Sequence, residues 1–165
     1  MKKLFLLRHA KSSWEDSSLT DLERPLNKRG KRDAPFMGKL LKEKEINIDT
    51  IYTSHALRAL MTAEIISKEI HLGKEHIIVE KKIYEAGIKE LSDVVSNLPE
   101  KFSSVMIIGH NPGLTSFANF LGNKYIDNIP TCGIVGLKFN LESWNEIERG
   151  RGEIFLFEYP KKYLK

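Results

Sequence analysis

The sequence predicts an α/β fold, a three-layer α/β/α sandwich with a mostly parallel sheet and helices on both faces. Three observations lead there. Short apolar runs alternate with longer amphipathic ones along the whole chain, the rhythm of strands joined by covering helices. The run at residues 104–108 is almost uniformly apolar, as a central parallel strand buried on both faces should be. No repeat, low-complexity segment or linker-like change of composition interrupts the 165 residues, so residues 1–165 read as one domain, large enough for one sizeable core.

The elements follow in order. Residues 4–7 are apolar and bounded by charge, too short for a signal peptide or a membrane span and suited to a buried first strand. Asn27-Lys28-Arg29-Gly30 opens a helix reaching about Lys44, with Phe36, Met37, Leu40 and Leu41 at helical spacing. Pro35 lies inside it and should kink the helix or mark a restart. Residues 49–53 form a second strand, and Ser54 is placed to cap the helix that follows. Leu60, Ala63, Ile66 and Ile70 make that helix's apolar stripe, which ends before Gly73.

A short β-branched strand at residues 76–80 precedes a helix at 91–98. After the strand at 104–108, Asn111-Pro112-Gly113 opens a helix to about Leu121. Strands at residues 134–139 and 153–159 finish the sheet. The charged, glycine-bearing stretch 140–152 between them reads as an exposed hairpin connection, and residues 160–165 as a solvated tail.

Composition excludes several functions. Twenty-six Lys and Arg against 22 Asp and Glu leave a net charge of only +4, too small an excess to argue for nucleic acid. Trp14 and Trp144 stand without a basic aromatic ladder, so single-stranded nucleic acid has no platform. The single cysteine, Cys132, permits no intrachain disulfide or Cys-cluster metal site and fits a reducing compartment such as the cytoplasm. His71 and His76 are five apart across Gly73, the wrong spacing for a zinc pair on one helix face.

The first functional signal is positional. Arg8-His9 stands where the first strand ends, and Gly109-His110-Asn111 where the strand 104–108 ends. Open α/β sheets bind ligands beyond the carboxyl ends of their strands. Asn111-Pro112 would add a cap and a preset first helical residue, turning free backbone N–H groups toward the same rim. Arg58, in the first turn after the second strand, brings a second guanidinium. Singly, each residue is better explained as a loop histidine or a solvated arginine. Together they suggest a phosphate or carboxylate site.

Leu7-Arg8-His9-Ala10 resembles the Arg-His-Gly signature of the histidine phosphatase superfamily, with its phosphoglycerate-mutase-like fold. More narrowly, the chain is similar to the short SixA-type phosphohistidine phosphatase branch. The supporting segments are Arg24-Pro25-Leu26-Asn27-Lys28-Arg29-Gly30, Thr53-Ser54-His55-Ala56-Leu57-Arg58-Ala59, Ile83-Tyr84-Glu85-Ala86, Gly109-His110-Asn111-Pro112-Gly113 and Pro130-Thr131-Cys132-Gly133. They fall in order and cover residues 4 to about 140.

The resemblance implies a covalent mechanism without metal or cofactor. His9 would be the nucleophile and carry the phosphoryl group until water hydrolyses it. Arg8 and Arg58 would clamp the non-bridging oxygens through forks that lysine cannot imitate. His110, protonated against the dianion, would stabilise charge on the transferring group. The resemblance also puts Asn111, Ser12 and Arg24 at phosphate- or substrate-binding positions. Glu85 matches the place of the superfamily's proton donor, although the SixA-type branch can lack this acid. A surface carboxylate at a helix start explains Glu85 equally well.

Ala10 replaces the signature glycine, Glu15 stands where larger members often carry a phosphate-binding asparagine, and His55 replaces a common proline. Glu15 is therefore expected to point away from the pocket. The expected substrate is a phosphohistidine-bearing protein. A small phosphomonoester is the alternative, with a mutase or a large sugar-phosphate enzyme disfavoured because a short chain leaves little room for the insertions that lid their sites. A third reading is a docking module that binds phosphoproteins without turnover. Neither nucleic acid nor a membrane is an expected partner, and the sequence does not indicate an oligomeric state.

Overall fold

In the computed structural model, which describes residues 1–164, six strands form one mixed sheet in the order β3-β2-β4-β1-β5-β6. The strands are β1 (Lys2–Arg8), β2 (Thr50–Thr53), β3 (Ile77–Val79), β4 (Ser104–Gly109), β5 (Ile134–Phe139) and β6 (Glu153–Glu158). β1, β2, β3 and β4 are parallel, β5 is antiparallel to β1, and β6 is antiparallel to β5. Four helices cover the sheet: α1 (Lys28–Glu43), α2 (Leu57–Glu69), α3 (Ile88–Ser96) and α4 (Gly113–Leu121).

The strand period of two divides the core between two layers. On β1 and β4, Phe5, Leu7, Met106 and Ile108 pack with Ala34, Met37 and Leu41 of α1 and Ala59, Ala63 and Ile66 of α2. Their neighbours Leu4, Leu6, Val105 and Ile107 pack on the other face with Leu91 and Val95 of α3 and Leu114, Phe117 and Leu121 of α4. The three-layer sandwich expected from the sequence is therefore present. β1 and β4 are buried on both faces, and the register Arg8↔Gly109 brings their carboxyl ends side by side.

Two close approaches fix the loops beyond those ends. A Cβ on Gly30, in the first turn of α1, would lie 2.2 Å from the Lys11 carbonyl oxygen. A Cβ on Gly113 would lie 1.9 Å from the Ala86 carbonyl oxygen. Only glycine lets α1 seat against the segment after His9, and α4 against the turn that carries Glu85.

Four expectations need adjustment. Helix α1 does not restart at Pro35: it is continuous from Lys28 to Glu43, and its buried face (Ala34, Met37, Gly38, Leu41) spans the proline. On α2 the buried residues are Arg58, Ala59, Thr62, Ala63, Ile66 and Ser67, so the stripe is rotated away from Leu60 and Ile70. The stretch 140–152 does join the antiparallel β5 and β6 and is largely exposed, but it also buries two anchors the sequence did not announce: Leu141 and Trp144 lie in the core, and Trp144 Nε1 donates to the Phe102 carbonyl at 2.8 Å. A turn dominated by charge thus hides one large anchor. The end of the chain is exposed over 161–163, as expected, but it is tethered. Pro160 is buried, and Lys162 and the Tyr163 hydroxyl both bond the buried Glu158; Lys165 of the expected tail lies outside the described residues. No helix among the described residues is long and apolar enough to cross a membrane.

Candidate active site

The carboxyl ends of β2, β4 and β1 lie next to one another, and each is tied to its neighbour by the backbone. His9 N donates to the Gly109 carbonyl at 3.1 Å, and Ser54 N to the Ile108 carbonyl at 3.2 Å. A cavity of about 190 Å³ opens over these ends, lined by Arg8, His9, Lys11, Ser12, Trp14, Arg24, Arg58, His110, Asn111 and Thr131. Every candidate read from the sequence lines it except Glu85. A second cavity of about 490 Å³ adjoins it through His110 and Asn111, and there Glu85 lies with Ala86, Gly87, Ile88, Pro112, Gly113 and Ser116.

His9 is buried, and its Nδ1 lies 2.8 Å from the Ala10 carbonyl oxygen. A carbonyl only accepts, so Nδ1 carries the proton and Nε2 keeps its lone pair. Burial pushes the imidazole pKa down to about 3, with nearby His110, Arg58 and Arg8 adding to the fall and the Ala10 bond opposing it. His9 is therefore neutral at ordinary pH, and its basic nitrogen is Nε2.

His110 faces it, with ring centroids 5.1 Å apart. Its pKa is lowered to about 4, chiefly by burial and then by Arg58. The free site therefore holds a neutral His110, and the cation expected from the sequence requires a bound dianion to offset these effects.

The arginines are held differently. Arg8 Nη1 donates to the Ile129 carbonyl at 3.0 Å, while its buried Nε has no partner among the described residues. Burial lowers the Arg8 pKa. Arg58 donates through Nη1 to the Asp21 carbonyl at 2.7 Å and through Nη2 to Asp21 Oδ2 at 3.0 Å. Arg24 bonds Asp21 Oδ1 and the Ser13 carbonyl, each at 3.0 Å, and the Ser12 hydroxyl. Its guanidinium lies 3.3 Å from the ring centroid of Trp14, which is 73% exposed. The Tyr84 hydroxyl donates to Asp21 Oδ2 at 2.5 Å. That bond, followed by Arg58 and Arg24, holds the Asp21 carboxyl well below the usual carboxylate range, and Asp21 in turn pushes Tyr84 up to about 12.

Three expectations change in detail. Asn111 lines both cavities, but its amide is engaged within the protein. Nδ2 donates to Asn128 Oδ1 and the Ile129 carbonyl, and Oδ1 accepts from Thr115 N and Oγ1. Pro112 occupies the N-cap of α4 rather than its first turn. The Leu114, Thr115 and Ser116 amides are bonded to His110, Asn111 and Pro112, so they do not point free toward the rim. Finally, Ser54 does not cap α2 at the N-cap position, which Ala56 takes; its hydroxyl accepts from Ala56 N at 3.2 Å and meets His110 Nε2 at 2.7 Å. Glu15 is exposed and does not line the cavity, as expected.

Residues 4–110 match the family model of the histidine phosphatase superfamily, branch 1. The chain belongs to this superfamily. An uncharacterised chloroplastic protein of Arabidopsis thaliana is 31% identical over 153 residues, 88% of this chain and 70% of that one. Phosphoglycerate mutase 1 of Saccharomyces cerevisiae is 40% identical over 67 residues, 39% of this chain and 27% of the mutase. The protein histidine phosphatase SixA, solved with tungstate, superposes with a TM-score of 0.82 at 22% identity, covering 97% of this chain and 98% of that one. The fold is thus the phosphoglycerate-mutase-like fold, and membership of the histidine phosphatases supports a phosphatase activity.

For this histidine phosphatase, sequence reasoning missed Asp21, Tyr84 and the role of Trp14. Asp21 stands three residues before Arg24 and has no periodic signature, since a short 3-10 turn at Asp21–Glu23 delivers it. Tyr84 was visible only as part of Ile83-Tyr84-Glu85-Ala86, and Trp14 only as an isolated aromatic. Ser54 carried the one usable signal: it directly follows a strand at the carboxyl rim.

Proposed function

We propose that this protein is a phosphatase that removes the phosphoryl group from phosphohistidine in proteins, through a covalent phosphoryl group on His9. The observation that carries the reading is a buried imidazole with its lone pair on Nε2, set beside three guanidinium groups in one small cavity. In this reading Nε2 attacks phosphorus in line and the incoming histidine leaves. Charge builds on the His9 ring as the bond forms, and the Ala10 carbonyl at Nδ1–H stabilises it. Arg8, with its buried and unpartnered Nε, and Arg58 hold the non-bridging oxygens. His110 donates to the same group. Water then attacks the phosphorus on His9 and regenerates the imidazole. The chain's own cations provide the electrostatics of phosphoryl transfer.

Ser12 and Arg24 contribute as a wall of the cavity, with Arg24 fixed by Asp21 and Ser13 rather than free to swing. Two observations support a protein substrate: the small cavity adjoins a broader one of about 490 Å³, and the fold neighbour SixA is a protein histidine phosphatase. One observation favours a small phosphomonoester instead. Glu85 lines the adjoining cavity beside His110. A carboxyl group there could protonate an alkoxide.

Purified protein assayed against phosphohistidine peptides and a panel of sugar and nucleotide phosphates tests the choice. The reading expects efficient cleavage of the peptides and poor cleavage of the sugar phosphates. Efficient turnover of one sugar or nucleotide phosphate, with none of the peptides, would overturn it in favour of the small-molecule reading.

A further inference from the structure

The His110–Ser54 contact bears on which nitrogen of His110 carries the proton. Ser54 is fully buried, and its hydroxyl oxygen accepts from the Ala56 amide at 3.2 Å. The hydroxyl proton then needs an acceptor, and the one its hydrogen bonds provide is His110 Nε2 at 2.7 Å. A neutral imidazole accepting at Nε2 holds its proton on Nδ1. That Nδ1 is buried and finds no acceptor among the described residues, although His110 lines both the phosphate-sized cavity and the broader one beside it. A buried donor without a partner is costly, so such a group ordinarily has a use.

We propose that Ser54 is a positioning residue that locks neutral His110 in the Nδ1–H tautomer, so that His110 meets the incoming phosphoryl group as a ready hydrogen-bond donor. The inference rests on the phosphatase reading for its purpose, though not for its geometry. The surrounding side chains leave Ser54 as the partner that sets this ring. Tyr84 meets the ring edge to face, with centroids 5.4 Å apart and planes at 89°, and spends its hydroxyl on Asp21. His9 stands across at 5.1 Å, with its own Nδ1 engaged by Ala10. Without the Ser54 hydroxyl, Nε2 is free to carry the proton, and Nδ1 would then offer a lone pair instead of a donor to any oxygen that reaches it. Once a dianion protonates His110, the same hydroxyl can rotate and accept from Nε2–H, so the contact survives in both charge states.

Two measurements test the proposal. ¹⁵N NMR of the His110 ring in the wild-type protein should show a protonated, pyrrole-type Nδ1 and a pyridine-type Nε2, and Ser54→Ala should reverse or mix the two. A pyridine-type Nδ1 in the wild type would overturn the proposal without recourse to any variant. In the second, Ser54→Ala should lower kcat/KM for an aryl phosphate roughly tenfold, the scale of one net hydrogen bond. In a His110→Ala background the same change should cost less than twofold, because Ser54 then has nothing to orient. Equal losses in both backgrounds would show that Ser54 acts on the fold through Ala56, and would refute the assignment. Ser54→Thr, which keeps the hydroxyl, should restore the wild-type tautomer. If His110→Ala itself left turnover unchanged, the phosphatase role of His110 would fall while the NMR result still decided the tautomer.

Discussion

Lowering the pH from 7 to 4.5 should destabilise the protein through the same two histidines that make the site. In the unfolded chain a histidine titrates near its ordinary value of about 6.5. In the folded protein His9 is pushed down to about 3 and His110 to about 4. Between those values the unfolded chain binds protons that the folded one refuses. Stability is therefore fully present above about pH 6.5 and is lost as the pH falls toward the folded values. From pH 6.5 to 4.5 is two units, and each unit corresponds to about 1.4 kcal/mol per group. The expected loss is roughly 2–3 kcal/mol for each histidine. Urea unfolding at pH 7 and 4.5 measures it, comparing wild type with the double variant His9→Gln, His110→Gln. Carboxylates such as Asp21 and Glu158, whose folded values are lowered, destabilise both proteins alike at low pH, so the difference between the two losses isolates the histidines. The wild type should lose about 4–6 kcal/mol more than the variant. Equal losses would mean that the folded site admits protons as readily as water does, and the neutral nucleophile would lose its physical basis.

Other variants probe single parts of the account. Arg58→Ala should lower kcat/KM for an aryl phosphate by about 100-fold or more, the scale for one preorganised donor; a loss below tenfold would place Arg58 outside the phosphate clamp. Trp144→Ala removes a fully buried ring together with its bond to Phe102 and should cost about 3–5 kcal/mol in denaturant unfolding, with the variant's residual folded fraction still active. Glu85→Gln should change cleavage of phosphohistidine peptides and p-nitrophenyl phosphate little, because neither leaving group needs a strong acid. A fall of about 100-fold on an alkyl phosphate, in an enzyme that turns that ester over well, would instead assign Glu85 as a general acid.

The scaffold was legible because its signals are local. The uniform burial of Val105, Met106, Ile107 and Ile108 is written as one apolar run, and β5 at Ile134–Phe139 ends where its apolar residues end. The rim was legible for a topological reason, since a residue following a parallel strand can only stand at the carboxyl edge, and so Arg8, His9 and His110 met as expected. What stayed hidden depends on contacts distant in sequence. Asp21 reaches Arg58 and Tyr84 across 37 and 63 residues, and nothing in its own neighbourhood announces either partner. Trp144 lay within a charged, glycine-bearing stretch whose average polarity masked one anchoring ring. Asn111 was legible at the rim, but its bonds to Asn128 and Ile129 were not, because those partners belong to a segment with no periodic pattern. Pro35 marks no restart, because buried residues on both sides of it hold one continuous helix against the sheet.

The central claim is that Nε2 of His9 takes the phosphoryl group. Rapid acid-free quenching of enzyme turning over a ³²P-labelled phosphohistidine peptide, followed by peptide mapping, tests it directly. The account predicts label on the peptide containing His9, stable in base, lost in acid and absent from His9→Ala, which should also lose nearly all turnover. Wild-type turnover by His9→Ala, or label trapped on any other residue, would contradict it.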